Sequence, residues 1–292
     1  MIKTILVAVA GTPQTGTALD TAVTLGRSFD GHLECLRIHP DPAQMLTQAA
    51  GADMGSGMAI AEMWQALQDD DVRRTKLSRE AFDKRCARDK IALLDRPTAS
   101  TGLSASWREE TGDEIERLVA RARYNDLIVI EHPSGGGGFP PVAACAVLIG
   151  AGRPILVAPP KSPTSLTRKI AVAWKESAES AKALTAALPL LGKAEKIVVL
   201  GVNEQTHDQP SFRRSLENVA QYLAWHGFPV ESQAIELRDK TPAESMLAAA
   251  QEAGSELLVM GGYGHSRLRE LIFGGFTRHA LNGVPLPIFL FH

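Results

Sequence analysis

Two glycine steps near the end of the chain carry its clearest chemistry. Gly261-Gly262-Tyr263-Gly264 is followed by nine residues, His265 to Phe273, and then by Gly274-Gly275-Phe276-Thr277. Glycine lets a backbone turn tightly and come close to a ligand. The first step follows an apolar run, Glu256-Leu257-Leu258-Val259-Met260, that reads as a buried strand. A helix through Leu268, Leu271 and Ile272 leads to the second step, which opens onto another helix. The free N–H groups of such a helix start seat anionic oxygens, and Thr277 adds a hydroxyl donor. Two glycine steps at this spacing point to a phosphate cradle more specifically than a lone glycine-rich loop does. His265 and Arg267 stand beside it. In one reading they hold phosphates; in the other they cap a helix or pair with Glu270. The sequence carries no Ser-His-Asp arrangement, no HExxH and no Walker lysine. Binding without efficient catalysis is the expectation, with slow metal-dependent hydrolysis of the bound phosphate compound as its upper bound.

The elements that must position this loop occur twice. Lys3-Thr4-Ile5-Leu6-Val7-Ala8-Val9 matches Arg168-Lys169-Ile170-Ala171-Val172-Ala173-Trp174. Each run leads through a polar turn into an Ala-rich helix, with Ala18, Ala22 and Leu25 on one face of the first. In the second, Ala181, Leu184, Leu188 and Leu191 fall on one face. Further apolar runs pair up as 33–38 with 197–202, 103–107 with 230–237, 126–130 with 256–260, and 153–157 with 286–290. Helix starts lie between them at Thr111-Gly112-Asp113-Glu114 and Thr241-Pro242-Ala243-Glu244. The second is a capping box with proline at the first helical position. Short, wholly apolar runs alternating with helices predict parallel sheets covered on both faces. The segment Pro159-Pro160-Lys161-Ser162-Pro163-Thr164-Ser165 reads as a linker, so the domains are 1–160 and 166–292. The terminal strands, Ile155–Val157 and Ile288–Leu290, are the expected contact between them.

One stretch breaks the symmetry. The first half spends residues 39–102 between its second and third strands, the second half only 203–229. The extra chain holds Gly51-Ala52-Asp53-Met54-Gly55-Ser56-Gly57-Met58 and a long charged helix over about 60–92. It reads either as a loop before a surface helix or as a lid or partner surface. Composition excludes other classes. A net charge of −2 gives no global pull on nucleic acid, and no apolar run is long enough to span a bilayer. Three widely spaced cysteines, Cys35, Cys86 and Cys145, suit neither a disulfide framework nor a zinc site and read as buried thiols. The first apolar run is short and leads directly into Gly11-Thr12-Pro13, so it reads as a buried strand rather than a signal peptide, and a cytoplasmic location is expected.

On these residues the chain resembles the universal stress proteins in their tandem form, over essentially its whole length. The family motif is G-x-x-G, nine residues, then G followed by Ser or Thr, and the segment from Gly261 to Thr277 follows it. The resemblance implies two doubly wound five-stranded parallel-sheet α/β domains of the adenine nucleotide alpha-hydrolase-like kind. It implies ATP or a related adenine nucleotide, with magnesium, held by Gly261, Gly262, Gly264, Gly274, Gly275, Phe276 and Thr277, with Lys175 and Val202 at the ends of neighbouring strands. It also implies an intramolecular pseudo-dimer or a homodimer, and an unidentified protein partner. Two positions depart from the pattern. Gly275 stands where ATP-binding members usually carry a hydroxyl; losing that hydrogen bond costs ~1.5–3 kcal/mol. Lys175 stands where they usually carry an aspartate; it either faces a phosphate or is solvated.

The first half has no such loop. After Ile130 it reads Glu131-His132-Pro133-Ser134 and then four glycines, Phe139, Pro140 and Pro141. Glu131 would repel phosphate and the prolines lack N–H donors, so nucleotide binding is expected in the second half alone. His132 reads as structural, and Trp174 as core or as a wall on the adenine side. The alternative function is a scaffold or apolar-ligand binder that uses the 39–102 insertion, with a vestigial nucleotide loop.

Overall fold

The structure is a computed structural model that describes residues 1–42, 57–98, 102–132, 139–203, 209–237, 240–262 and 285–292. Its strands are β1 (Thr4–Ala8), β2 (His32–His39), β3 (Ala92–Leu93), β4 (Ser104–Thr111), β5 (Leu127–Ile130), β6 (Ile155–Val157), β7 (Lys169–Ala173), β8 (Lys196–Val202), β9 (Val230–Ile235), β10 (Leu257–Gly261) and β11 (Ile288–Phe291). They form one sheet in the order β3-β4-β2-β1-β5-β6-β11-β10-β7-β8-β9. Every pairing is parallel except one. β6 and β11 run antiparallel, with Leu156 opposite Phe289. The terminal strands therefore join the two halves, as the sequence leads one to expect, and they merge two parallel sheets into one.

The halves repeat the same strand order about that seam. Among the described residues the second half has five strands, as anticipated. The described residues of the first half form six, because β3 adds two residues beside β4 through the insertion. Such a fragment is too short to leave a period in the sequence.

The helices are α1 (Thr15–Phe29), α2 (Gly57–Asp89), α3 (Glu114–Ala122), α4 (Pro141–Ala151), α5 (Ala178–Leu191), α6 (Gln209–Trp225) and α7 (Pro242–Glu252). Side chains alternate along each strand, so each strand feeds both faces. Ile5 and Val7 of β1 pack with α1, α2, α5 and α6 on one face. Leu6 of the same strand joins α3, α4 and α7 on the other. Sequence expects Ala181 and Leu188 on the inner face of α5. The buried stripe is instead Ala183, Leu184, Ala187, Leu190 and Leu191. Ala181 faces solvent and Leu188 is half-buried, because the helix is turned so that its small alanines meet the sheet.

Helix starts are fixed locally. Thr241 Oγ1 accepts from the Glu244 N–H while the Glu244 carboxylate accepts from the Thr241 N–H, closing the expected box. Asp113 caps α3 through the Glu116 N–H. The polar α2 docks through only a few buried residues, Ser78, Phe82 and Cys86, spaced four apart on one face. Ion pairs do the rest: Arg27–Asp89 at 2.7 Å, Arg85–Asp20, and Arg37–Asp71 at 2.5 Å. All three cysteines are buried and outside any disulfide. Burial pushes the Cys86 thiol up to about 11, which keeps it protonated and inert.

Candidate nucleotide site and its counterpart

In the second half, β10, β7 and β8 lie side by side, and their carboxyl ends form one edge. The register sets Met260 beside Ala173 and Ala173 beside Leu200. Lys175 lies two residues beyond β7, Val202 ends β8, and Gly261 ends β10 with Gly262 directly after it. The structure thus gathers four of the expected site residues at one edge. Lys175 is exposed there and Val202 is half-buried. The remaining expected residues, Gly264, His265, Arg267, Gly274, Gly275, Phe276 and Thr277, lie outside the described residues.

Gly261 is required by its surroundings. A Cβ at this position would stand 2.6 Å from the Ser180 nitrogen and 2.7 Å from the Glu179 carbonyl carbon. The first turn of α5 is pressed against the end of β10. Ser177 caps that helix by accepting from the Ser180 N–H, and its hydroxyl lies 3.3 Å from the Ser180 hydroxyl. These two serines were not singled out from the sequence. Their signal was available: Ser177-x-x-Ser180 after β7 repeats Thr12-x-x-Thr15 after β1. Beyond Gly261, the Gly262 N–H donates to the Phe291 carbonyl and the Gly262 carbonyl meets His292 Nδ1 at 2.9 Å. The start of the loop is therefore tied to the end of β11. Trp174 is half-buried against the core, and its indole N–H donates to Ser215 Oγ on α6.

The same edge of the first half is built otherwise. Matching registers put Glu131 at the position of Gly261 and Ala10 at that of Lys175. Glu131 is 1% exposed. Its carboxylate accepts from the Ala10 N–H at 2.8 Å and from the hydroxyls of Thr12 and Thr15. Loss of hydration pushes this carboxyl above the usual carboxylate range, although the threonine hydroxyls, the Ala10 N–H and Arg37 all pull it down. The hydroxyl pair that in the second half faces a glycine here holds an internal carboxylate. Sequence reasoning saw Glu131 as a repeller of phosphate but missed this bonding, whose partners lie more than a hundred residues away.

Two further exchanges close the first edge. Arg37 of β2, at the position of Gly201 of β8, is 5% exposed and is bound by Asp71 of α2. Gly201 instead lets Leu216 and Phe212 of α6 pack down, within 2.8–3.1 Å of where a Cβ would be. Gly11, at φ +71, lies so near α2 that a Cβ would be 2.2 Å from the Arg74 carbonyl oxygen. The insertion therefore lays a helix across the β1–α1 turn, where the second half leaves Lys175 and Glu176 exposed. His132 is buried, 2% exposed. Among the described residues, no cluster of His, Cys, Asp and Glu could hold a metal ion.

A mostly parallel sheet with helices on both faces, its strand order repeated about an antiparallel seam, defines a tandem α/β protein. The family comparison agrees. The model of the universal stress protein family matches residues 1–138 and 167–292, and the chain belongs to that family. It is 23% identical to the universal stress protein Slr1230 of Synechocystis, over 99% of this chain and all of that one. Among solved structures it resembles a universal stress protein of Archaeoglobus fulgidus, with TM-score 0.63, 14% identity and 99% and 95% of the two chains covered. A putative universal stress protein of Pseudomonas aeruginosa gives TM-score 0.59 at 17% identity, covering 99% and 93%. At these identities the structural likeness speaks for the fold.

Proposed function

We propose that this is a cytoplasmic stress-response protein that binds ATP or a related adenine nucleotide at the carboxyl edge of its second half. The reading takes residues 1–160 and 166–292 as its two domains. The single observation that carries it is the exchange of Glu131 for Gly261 at equivalent strand ends. The first half fills the position with a carboxylate and covers it with α2. The second half has glycine there and carries the two-step glycine motif directly after it. Residues of the second edge fit a polyphosphate: backbone N–H groups of the glycine steps, the Thr277 hydroxyl, and Lys175 beside Val202 at the mouth, with His265 and Arg267 as further phosphate contacts. A bound nucleotide, with magnesium, would supply the charge that these groups hold.

The output of binding is conformational or directed to a protein partner rather than catalytic: the sequence carries no Ser-His-Asp arrangement, HExxH or Walker lysine, and among the described residues no nucleophile and base are paired at this edge. The direct test is equilibrium dialysis of the whole protein with ATP. Saturable binding that Gly264→Val abolishes is the expected result. Absence of binding at millimolar nucleotide, in a protein that is folded by circular dichroism, would overturn the proposal.

A further inference from the structure

The outer strands of the two halves are defended unequally. β4 closes the first half, with β3 beside its first residues. Further along, β4 carries Arg108, Glu109 and Glu110, and charges of this kind keep an edge strand from pairing with another chain. β9, its counterpart, ends the sheet with no strand beyond it among the described residues. It runs Val230-Glu231-Ser232-Gln233-Ala234-Ile235, with one charge and no proline, in unbroken register with β8. Residues 231–234 are exposed.

The direction of its free groups follows from the pairing already made. The Ile197 N–H donates to the Pro229 carbonyl at 2.8 Å. Alternate residues of a strand turn their main-chain groups to opposite sides, so Pro229, Glu231, Gln233 and Ile235 bond toward β8. Val230, Ser232 and Ala234 turn theirs outward, as a template for a further strand. Side chains alternate too. Val230 joins the core on the α6 face and Ile235 that on the α7 face, so Ser232 and Ala234 share the first face and Glu231 and Gln233 the second.

A second copy of the same strand fits this edge. Set antiparallel about Ser232, two copies place Ser232 opposite Ser232, Val230 opposite Ala234 and Glu231 opposite Gln233, each beside a residue of its own face. The outward groups then fall in hydrogen-bonded pairs. Glu231 and the partner's Gln233 fall in the non-hydrogen-bonded pairs, where side chains lie closest. There the amide N–H₂ donates to the carboxylate, and no like charges are opposed. Glu231 keeps Lys196 of β8 at 2.7 Å. The β6–β11 seam is antiparallel pairing of the same kind; it is used within the chain, so a second copy must meet an outer edge. α6 packs over β9 and leaves Tyr222 39% and Trp225 85% exposed, aromatic surface of the type enriched at interfaces.

We propose that β9 is an interface at which two copies of this chain join their sheets, antiparallel about Ser232. The interface goes beyond the nucleotide reading and takes no residue from the glycine steps.

The test is sedimentation velocity of the whole protein, without nucleotide, between roughly 1 μM and 1 mM, which spans the dissociation constants of weak specific contacts. A reversible monomer–dimer equilibrium is expected. Ser232→Pro removes only an outward N–H, where an edge strand tolerates proline, and should leave a protein that is folded by circular dichroism and monomeric throughout. Gln233→Glu sets carboxylate against carboxylate at two symmetric pairs and should weaken dimerisation about tenfold, whereas Gln233→Lys sets an ammonium against Glu231 and should tighten it by a similar factor. Gly264→Val should dimerise as the parent does, so failure here and failure of the nucleotide reading are separable. A parent that stays monomeric up to the highest concentration would overturn the proposal. So would a dimer that Ser232→Pro and both Gln233 variants leave unchanged, which would put the contact on another surface.

Discussion

The two halves place the same pair of hydroxyls at the same strand end and use them differently. In the first, Thr12 and Thr15 close around the carboxylate of Glu131. In the second, Ser177 and Ser180 turn to each other against Gly261. A helix start after a parallel strand attracts an anion by virtue of its free N–H groups. One half places its own carboxylate beside that start, held by the Ala10 N–H and two threonine hydroxyls. The other has glycine at the site and continues into a glycine-rich loop. On the proposed function, the difference teaches that a single inward-facing side chain would retire a ligand site in a repeated fold while sheet, helices and caps remain.

The largest expected effect comes from emptying the occupied site. Glu131→Ala leaves the buried Ala10 N–H and the Thr12 and Thr15 hydroxyls without their acceptor and opens a void. An unmade buried hydrogen bond costs about 1–3 kcal/mol, so the variant should lose roughly 3–4 kcal/mol. Urea unfolding read through the midpoint at constant slope would show it. A loss below about 1 kcal/mol would mean that the carboxylate is an incidental occupant rather than the keystone of that edge.

The converse exchange tests the other side. Gly261→Glu would put a Cβ 2.6 Å from a backbone nitrogen of α5, and backbone cannot yield as a side-chain tip can. Overpacking of this kind costs about 1–3 kcal/mol, and roughly 2–3 is expected at this site. ATP binding should be lost as well. If the variant is as stable as the parent, the tight seat of α5 on β10 is not what selects glycine there.

How much of this could be read from the sequence follows from the range of the interactions. The ten longer strands, the capping box at Thr241 and the seam between terminal strands are local or periodic features. Apolar runs and cap residues announce them, and the repeat confirms each by a second instance. Glu131 was visible as an anion in the wrong place for phosphate. Its bonding was not, because Ala10, Thr12 and Thr15 are contiguous with it only once β1 and β5 have paired. α2 was legible as a helix but not as a cover. Its mean polarity hides the Ser78, Phe82, Cys86 stripe, and its place over Gly11 depends on ion pairs with α1 and β2. The glycine cradle was legible as a motif, and the structure adds Ser177 and Ser180 behind its first residue.

The smallest effect is also the most diagnostic of charge at the occupied site. In Glu131→Gln the amide oxygen can keep the bonds from the Ala10 N–H and Thr15, while the amide N–H₂ donates to Thr12 Oγ1, which can accept. Shape and bonding survive; the buried charge does not. Because the folded pKa of Glu131 is raised above its unfolded value, the carboxyl's favourable contribution is complete below the unfolded pKa and is lost as pH rises through the folded one. At neutral pH the ionised carboxylate is therefore a net burden that Gln lacks. The variant should match or exceed the parent by up to about 1 kcal/mol at pH 7, and the gap should narrow toward pH 4 as the parent takes up its proton. Thermal melts of both proteins between these values would measure it. A gap that widened on acidification would mean that Glu131 is held ionised by its hydroxyl and N–H donors more strongly than burial opposes it, and the first edge would then itself be a good anion seat.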